Sequence, residues 1–100
     1  MKAIWNDAVI AEADKSDLIY IEGNWYFPPD SLKKEYFSQT DKHTTCYWKG
    51  KASYYQIDVD GKINEDGAWY YPDPTGPSKK IVKKDFTDYV AFWHGVTVTE

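Results

Sequence analysis

The stretch His43-Thr44-Thr45-Cys46-Tyr47-Trp48-Lys49-Gly50-Lys51-Ala52-Ser53-Tyr54-Tyr55-Gln56-Ile57-Asp58-Val59-Asp60-Gly61-Lys62-Ile63-Asn64 decides the fold. Two runs rich in β-formers, His43 to Trp48 and Ala52 to Val59, surround Lys49-Gly50. Asp60-Gly61 then turns the chain into Lys62-Ile63-Asn64. β-branched and aromatic residues suit a pleated, half-buried surface, and Asp-Gly tolerates the positive φ of a tight hairpin. The reading is of consecutive antiparallel strands.

Register assigns the side chains to faces, because successive residues of a strand point to opposite sides. With Lys49-Gly50 as the two central turn residues, Trp48 pairs with Lys51, Cys46 with Ser53 and His43 with Gln56. Thr44, Cys46, Trp48, Ser53, Tyr55, Ile57 and Val59 then share the apolar face. His43, Thr45, Tyr47, Ala52, Tyr54, Gln56 and Asp58 share the other. Cys46 reads as a small buried hydrophobe. A Cys46 nucleophile with a His43 base would need a bulge, since residues three apart on a regular strand point in opposite directions.

The same grammar extends outward. Ala3-Ile4-Trp5 and Ala8-Val9-Ile10-Ala11 flank Asn6-Asp7, and Phe92-Trp93 and Val96-Thr97-Val98 flank His94-Gly95, so a hairpin is expected at each end. Asp17 to Glu22 is a further strand closed by Gly23-Asn24, and Gly67 to Tyr71 another, stopped by the proline-rich Pro72 to Pro77. Tyr89 to Trp93 is the last strong strand. Asp30 to Phe37 has a start signal in Pro29-Asp30 and places Leu32, Tyr36 and Phe37 on one helical face, so one short helix is expected near 30–37. Ser78 to Phe86, with four lysines, reads as a short helix or a loop. The total is eight or nine short strands in a mostly-β chain, and 100 residues make a single domain spanning 1–100.

Composition excludes several functions. The formal charge is −4, from 12 basic and 16 acidic residues, and every basic residue is lysine. A mildly acidic chain without arginine is a poor nucleic-acid binder. No apolar run approaches a membrane span, and the acidic residue at Asp7 argues against a signal peptide. One cysteine permits no intrachain disulfide and fits a reducing compartment, so a cytoplasmic address is expected. One Cys and two His cannot supply a structural zinc site. The acidic cluster Asp58, Asp60, Asn64, Glu65 and Asp66 fails as a calcium loop, because Lys62 and Ile63 stand at the fifth and sixth positions. The glycines are isolated turn residues, so no phosphate loop forms. No metal and no cofactor is expected. Lys79, Lys80, Lys83 and Lys84 make the only basic run, read as a solvated face.

What remains is the set of eighteen aromatic residues. Adjacent rings in Tyr47-Trp48, Tyr54-Tyr55, Trp69-Tyr70-Tyr71 and Phe92-Trp93 must face opposite sides. One core absorbs one set; the other lines a concavity or is covered by a second layer. Rings with polar tips suit pockets for planar ligands or sugars. Tyr26, Trp48, Tyr54 and Trp69 are the expected walls of such a pocket, with Lys49 and His43 as candidate polar groups.

Four segments carry a resemblance: Glu22 to Ser31, His43 to Tyr55, Ala68 to Pro74 and Val90 to Trp93. Together they resemble the domain-of-unknown-function 427 family over nearly the whole chain. Cys46-x-Trp48-Lys49-Gly50 and Trp69-Tyr70-Tyr71-Pro72 are the specific parts. The family usually has proline where this chain has Tyr47. The resemblance implies a small, mostly-β cytoplasmic domain with two antiparallel sheets, tent-like or open barrel-like. It also implies that any site is built from Tyr26, Phe27, Pro28, His43, Cys46, Trp48, Lys49, Gly50, Tyr54, Trp69, Tyr70 and Pro72. A nucleotidyltransferase-like label attached to the family finds no support here, because the chain has neither a carboxylate pair with a Gly-Ser turn nor a basic triphosphate clamp.

Three functions are open at this point. The leading one is binding of a small organic ligand in an aromatic-lined pocket. The second is an enzyme using Cys46 or Lys49 with His43 on a small carbonyl or thiol compound. The third is a non-catalytic protein-interaction module. The expected partners are a small molecule, no nucleic acid and no membrane, with the chain a monomer or homodimer.

Overall fold

Asn6 and Asp7 both take positive φ, 50° and 63°, and close the hairpin of β1 (Lys2–Trp5) and β2 (Ala8–Glu12). Such turns match the right-handed twist of the strands they join. The computed structural model describes residues 1–100. Glu22 and Gly23, at 51° and 84°, join β3 (Ile19–Ile21) to β4 (Asn24–Tyr26). β5 (Phe37–Cys46), β6 (Gly50–Val59), β7 (Lys62–Tyr70) and β8 (Val90–Phe92) follow, then β9 (Thr97–Thr99). Nine strands form three antiparallel sheets, ordered β2-β1-β9, β3-β4 and β5-β6-β7-β8, without closing into a barrel.

Three sheets stand where two were expected, and the reason lies at β8. Its one edge pairs with β7, and its other is taken by Phe27: the Phe27 amide donates to the Val90 carbonyl at 2.8 Å and the Val90 amide donates back at 2.9 Å. With both edges of β8 occupied, β9 cannot fold back on it. His94 and Gly95 do turn, at φ 51° and 88°, but they deliver β9 to the free edge of β1, where Lys2 faces Thr99. The expected terminal hairpin is therefore a crossing between sheets.

The helix expected near 30–37 is two 3₁₀ turns, Pro29–Ser31 and Lys34–Tyr36. Between them Leu32 is extended (ψ 138°) and buried, and the Lys33 amide donates to the Ile10 carbonyl at 2.9 Å. Core burial of Leu32 and that bridge to β2 outweigh the local helical signal. The one α-helix is α1 (Gly76–Val82). Thr75 caps it, its hydroxyl accepting from the Ser78 amide at 3.2 Å, with Pro77 in the first turn where no amide is needed. Lys83 ends it in the left-handed region, so the four lysines do not share one helical face. No helix is long and apolar enough to cross a membrane.

β6 is covered on both faces. Ile57 and Val59 join Ala3, Ile10, Phe27, Ala68, Tyr70 and Val90 in one core, toward the three-stranded sheet. Ala52 and Tyr54 join Ile19, Ile21, Tyr26, Tyr71, Phe86 and Ala91 in a second. Irregularities flank β6 on both sides. Gln39 pairs with Tyr55 but His43 with Ser53, and Ile57 pairs with Asn64 but Tyr55 with Ala68. The Thr40 hydroxyl from one bulge donates to Asp66 Oδ1 in the other at 2.7 Å.

Gly67 sits in the β7 bulge with its amide backbone against the buried Asn64. A Cβ there would lie 2.7 Å from Asn64 Cγ, and Asn64 Nδ2 donates to the His94 carbonyl at 3.0 Å. Replacing Gly67 with alanine should displace that amide and leave a buried polar group unmade. The expected loss is roughly 1–3 kcal/mol in urea denaturation. An unchanged midpoint would show that Asn64 does not hold the β8–β9 crossing.

Candidate functional site

The loop between β5 and β6 has three residues, Tyr47-Trp48-Lys49, and Cys46 pairs directly with Gly50. The expected two-residue turn at Lys49-Gly50, with Cys46 opposite Ser53, is therefore corrected. Two contacts impose the longer loop. The Thr75 hydroxyl donates to the Trp48 carbonyl at 2.6 Å, and the Thr75 amide donates to the Lys49 carbonyl at 3.1 Å. Gly50, at φ 111°, packs so closely that a Cβ would lie 3.2 Å from the Asp73 carbonyl oxygen. The segment after β7 thus grips the loop and turns Lys49 inward.

A shifted register moves every side chain of the strand to the other face. Cys46 lies on the face of Ala52 and Tyr54, half-buried against the second core, and not with Ser53, Tyr55 and Ile57. His43 lies opposite Ser53, exposed, with Nδ1 3.1 Å from Ser53 Oγ. The ladder from His43 to Cys46 is regular, because the bulge falls before His43. The two side chains therefore point to opposite faces, and the structure does not bring thiol and imidazole together.

Lys49 is the buried charge of the molecule. Its side chain is only 8% exposed, and Nζ donates to Glu22 Oε1 at 2.5 Å. Trp48 and Tyr71 present their rings to the ammonium, each centroid 5.2 Å away. Ring quadrupoles and one carboxylate together replace the lost water. Burial alone pushes the Lys49 ammonium down, but the Glu22 hydrogen bond and the facing phenols of Tyr26 and Tyr71 outweigh it and hold it above the ordinary lysine value. Lys49 is thus a fixed cation at neutral pH, without the free amine a nucleophile needs.

The four rings expected to wall a pocket meet around this lysine or beside it. Tyr26 and Tyr54 are buried in the second core, and Trp48 and Trp69 pack against it. Trp69 Nε1 donates to the Tyr26 hydroxyl at 3.1 Å, and Thr44 Oγ1 lies 2.9 Å from the Tyr54 hydroxyl. The polar tips of Tyr26, Tyr54 and Trp69 are satisfied internally, and none of the four rings lines a cleft.

The clefts lie elsewhere. One, about 290 Å³, runs between β5–β6 and the turns after β4 and before β8. Its apolar walls are Leu32, Phe37, Tyr55 and Tyr70, and its rim carries Lys34, Gln39 and Asp88. Tyr55 and Tyr70 stack with centroids 4.5 Å apart and planes at 22°, and Phe37 meets Tyr55 edge-on at 5.7 Å. Gln39 Nε2 donates to the Tyr70 hydroxyl at 3.1 Å. The other, about 450 Å³, is lined by Ser16, Asp17, Asp30, Lys84 and Tyr89 with Ile19 and Pro28. Sequence reasoning missed Phe37, Tyr55 and Tyr70 as a group. The available signal was the Tyr54-Tyr55 and Tyr70-Tyr71 doublets, which put one ring of each pair on each face. No three His, Cys, Asp or Glu side chains converge as a metal ion would require.

Burial pushes Tyr71 up to about 12, with the Tyr26 phenol adding to it against Lys49. Burial, the Tyr70 phenol and the Asp88 carboxylate push Tyr55 up to about 12 as well. Groups raised on folding stabilise the native state below their unfolded values and lose that contribution as pH climbs through the folded ones. The urea midpoint should therefore hold steady to about pH 9 and fall between about pH 10 and 12. Tyr71→Phe should make the fall shallower; a flat midpoint through that window would contradict the buried phenols.

No curated protein matches the chain. The family model described as a domain of unknown function (DUF427) matches residues 1–99. That match covers both strands that form the three-residue loop, the Asp73 to Thr75 segment that grips it, and both clefts, and the chain belongs to this family.

Proposed function

We propose that this domain binds a small organic ligand in the aromatic-lined cleft of Phe37, Tyr55 and Tyr70. The observation that carries the reading is the stacked Tyr55–Tyr70 pair with Phe37 edge-on, beside a rim of Lys34, Gln39 and Asp88. The walls supply apolar contact area, and the rim supplies a cation, an amide and a carboxylate to orient the ligand. The Tyr55 hydroxyl, held neutral, is a donor across the physiological range. Planar ligands with polar edges match this combination of rings and hydrogen-bonding groups. The pocket reading made from the sequence thus keeps its chemistry and changes its walls.

A second reading rests on Tyr47. It is 97% exposed at the tip of the β5–β6 loop, where the family usually has proline. A bulky ring held out by a loop anchored at Thr75 is suited to a protein partner or a second copy.

Screening a library of planar heterocycles by thermal shift, followed by titration of the hits, tests the first reading. Tyr55→Leu should weaken binding roughly tenfold, as expected for a lost aromatic contact. Gln39→Ala, an exposed change, should weaken it less, and Tyr47→Ala should leave it unchanged. Hits unaffected by Tyr55→Leu and Gln39→Ala would place binding elsewhere. Concentration-dependent size abolished by Tyr47→Ala would favour the interaction reading instead.

A further inference from the structure

The larger cleft differs in kind from the aromatic one. Its polar groups come from three separate segments: Ser16 and Asp17 from the 3₁₀ turn before β3, Asp30 from the turn after β4, and Lys84 and Tyr89 from the segment after α1. Only Ile19 and Pro28 are apolar. None of the five polar side chains has a hydrogen bond or ion pair within the chain. Two carboxylates elsewhere are held by their own turns, Asp58 accepting from the Gly61 amide and Asp85 from the Thr87 hydroxyl, whereas Asp17 and Asp30 face the cleft unclaimed. The cleft therefore holds free hydrogen-bonding capacity pointing into a common volume of about 450 Å³.

The basic run also separates here. Lys79 lies 3.9 Å from Asp85, and the left-handed Lys83 ends the helix, which turns Lys84 away to the cleft. Two carboxylates and one ammonium leave a net charge of −1 on the lining. An anion would meet two unpaired carboxylates, and a flat apolar ligand would strand five polar groups without water. A cation with several hydroxyls meets neither difficulty, and the chain's own charge of −4 favours its approach.

We propose that this cleft is a binding site for a small hydroxylated amine of the amino-sugar class. The ammonium sits against Asp17 and Asp30. The hydroxyls exchange hydrogen bonds with Ser16, Lys84 and Tyr89. This site does not depend on the aromatic cleft. The two are neighbours, divided by Pro28-Pro29-Asp30 and Asp88-Tyr89, whose residues alternate between them.

The probe is glucosamine, titrated into the intact isotope-labelled protein and followed by amide shifts, with glucose as the neutral control. Saturable shifts are expected, centred on residues 16–19, 28–30 and 84–89. Glucose should bind roughly tenfold more weakly or worse, since it lacks the charge. Asp17→Asn and Asp30→Asn, both on exposed side chains, should each cost roughly tenfold with unchanged circular dichroism, and Tyr55→Leu should cost nothing. The absence of saturable shifts, equal binding of glucose, or full binding by both asparagine variants would overturn the proposal. Failure of Tyr55→Leu to affect the planar ligands bears only on the other cleft.

Discussion

β6 is buried on both faces, and most of the structure follows from that. Ile57 and Val59 need one cover and Ala52 and Tyr54 another. A single layer against one face would leave half of the aromatic residues in water. The three-stranded sheet covers the first face, and the β3–β4 hairpin with Phe86 covers the second. The extra residues beside β6 lie on β5 and β7, so β6 keeps its alternation and Tyr55 and Ile57 share a face, in or against the first core.

The second core has a charge within it. Removing the ammonium of Lys49 from water is unfavourable, and one carboxylate from Glu22 with two aromatic faces offsets it. The pair links the turn of one hairpin to the loop of another. Thr75 adds a second tie, serving at once as helix cap and as partner for the Trp48 and Lys49 backbone. These ties set the loop at three residues, and hence the face of Cys46. Tyr26 and Trp69 satisfy each other's polar tips beside these ties, so the rings most conspicuous in the sequence are core and those of the aromatic cleft are less so.

Much of the fold was legible because its signals are local. Asn6-Asp7, Asp60-Gly61 and the β-branched runs around them identify hairpins through φ preference and alternation alone. The segments that carried the resemblance hold residues that now have physical roles: Lys49 as the buried cation, Gly50 against the Asp73 carbonyl, Tyr71 as a ring facing the ammonium. The site was less legible. Phe37 belonged to an expected helix, and Tyr55 looked like simple core. Only the extension of β5 back to Phe37 brings those two rings together at the cleft with Tyr70.

The sequence by itself determined the mostly-β class, the count of strands, most of the tight turns and the opposition of His43 to Cys46. Each depends on steric preferences within a few residues. Tertiary structure decided the partner of β9, the loop length before β6, the loss of the helix near 30–37 and the place of both clefts. The reason is the same in each case. Which strand edge is still free, and which backbone carbonyl is already claimed, are set by residues distant in the chain: Phe27 for β8, Thr75 for the loop, Ile10 for the segment at Leu32.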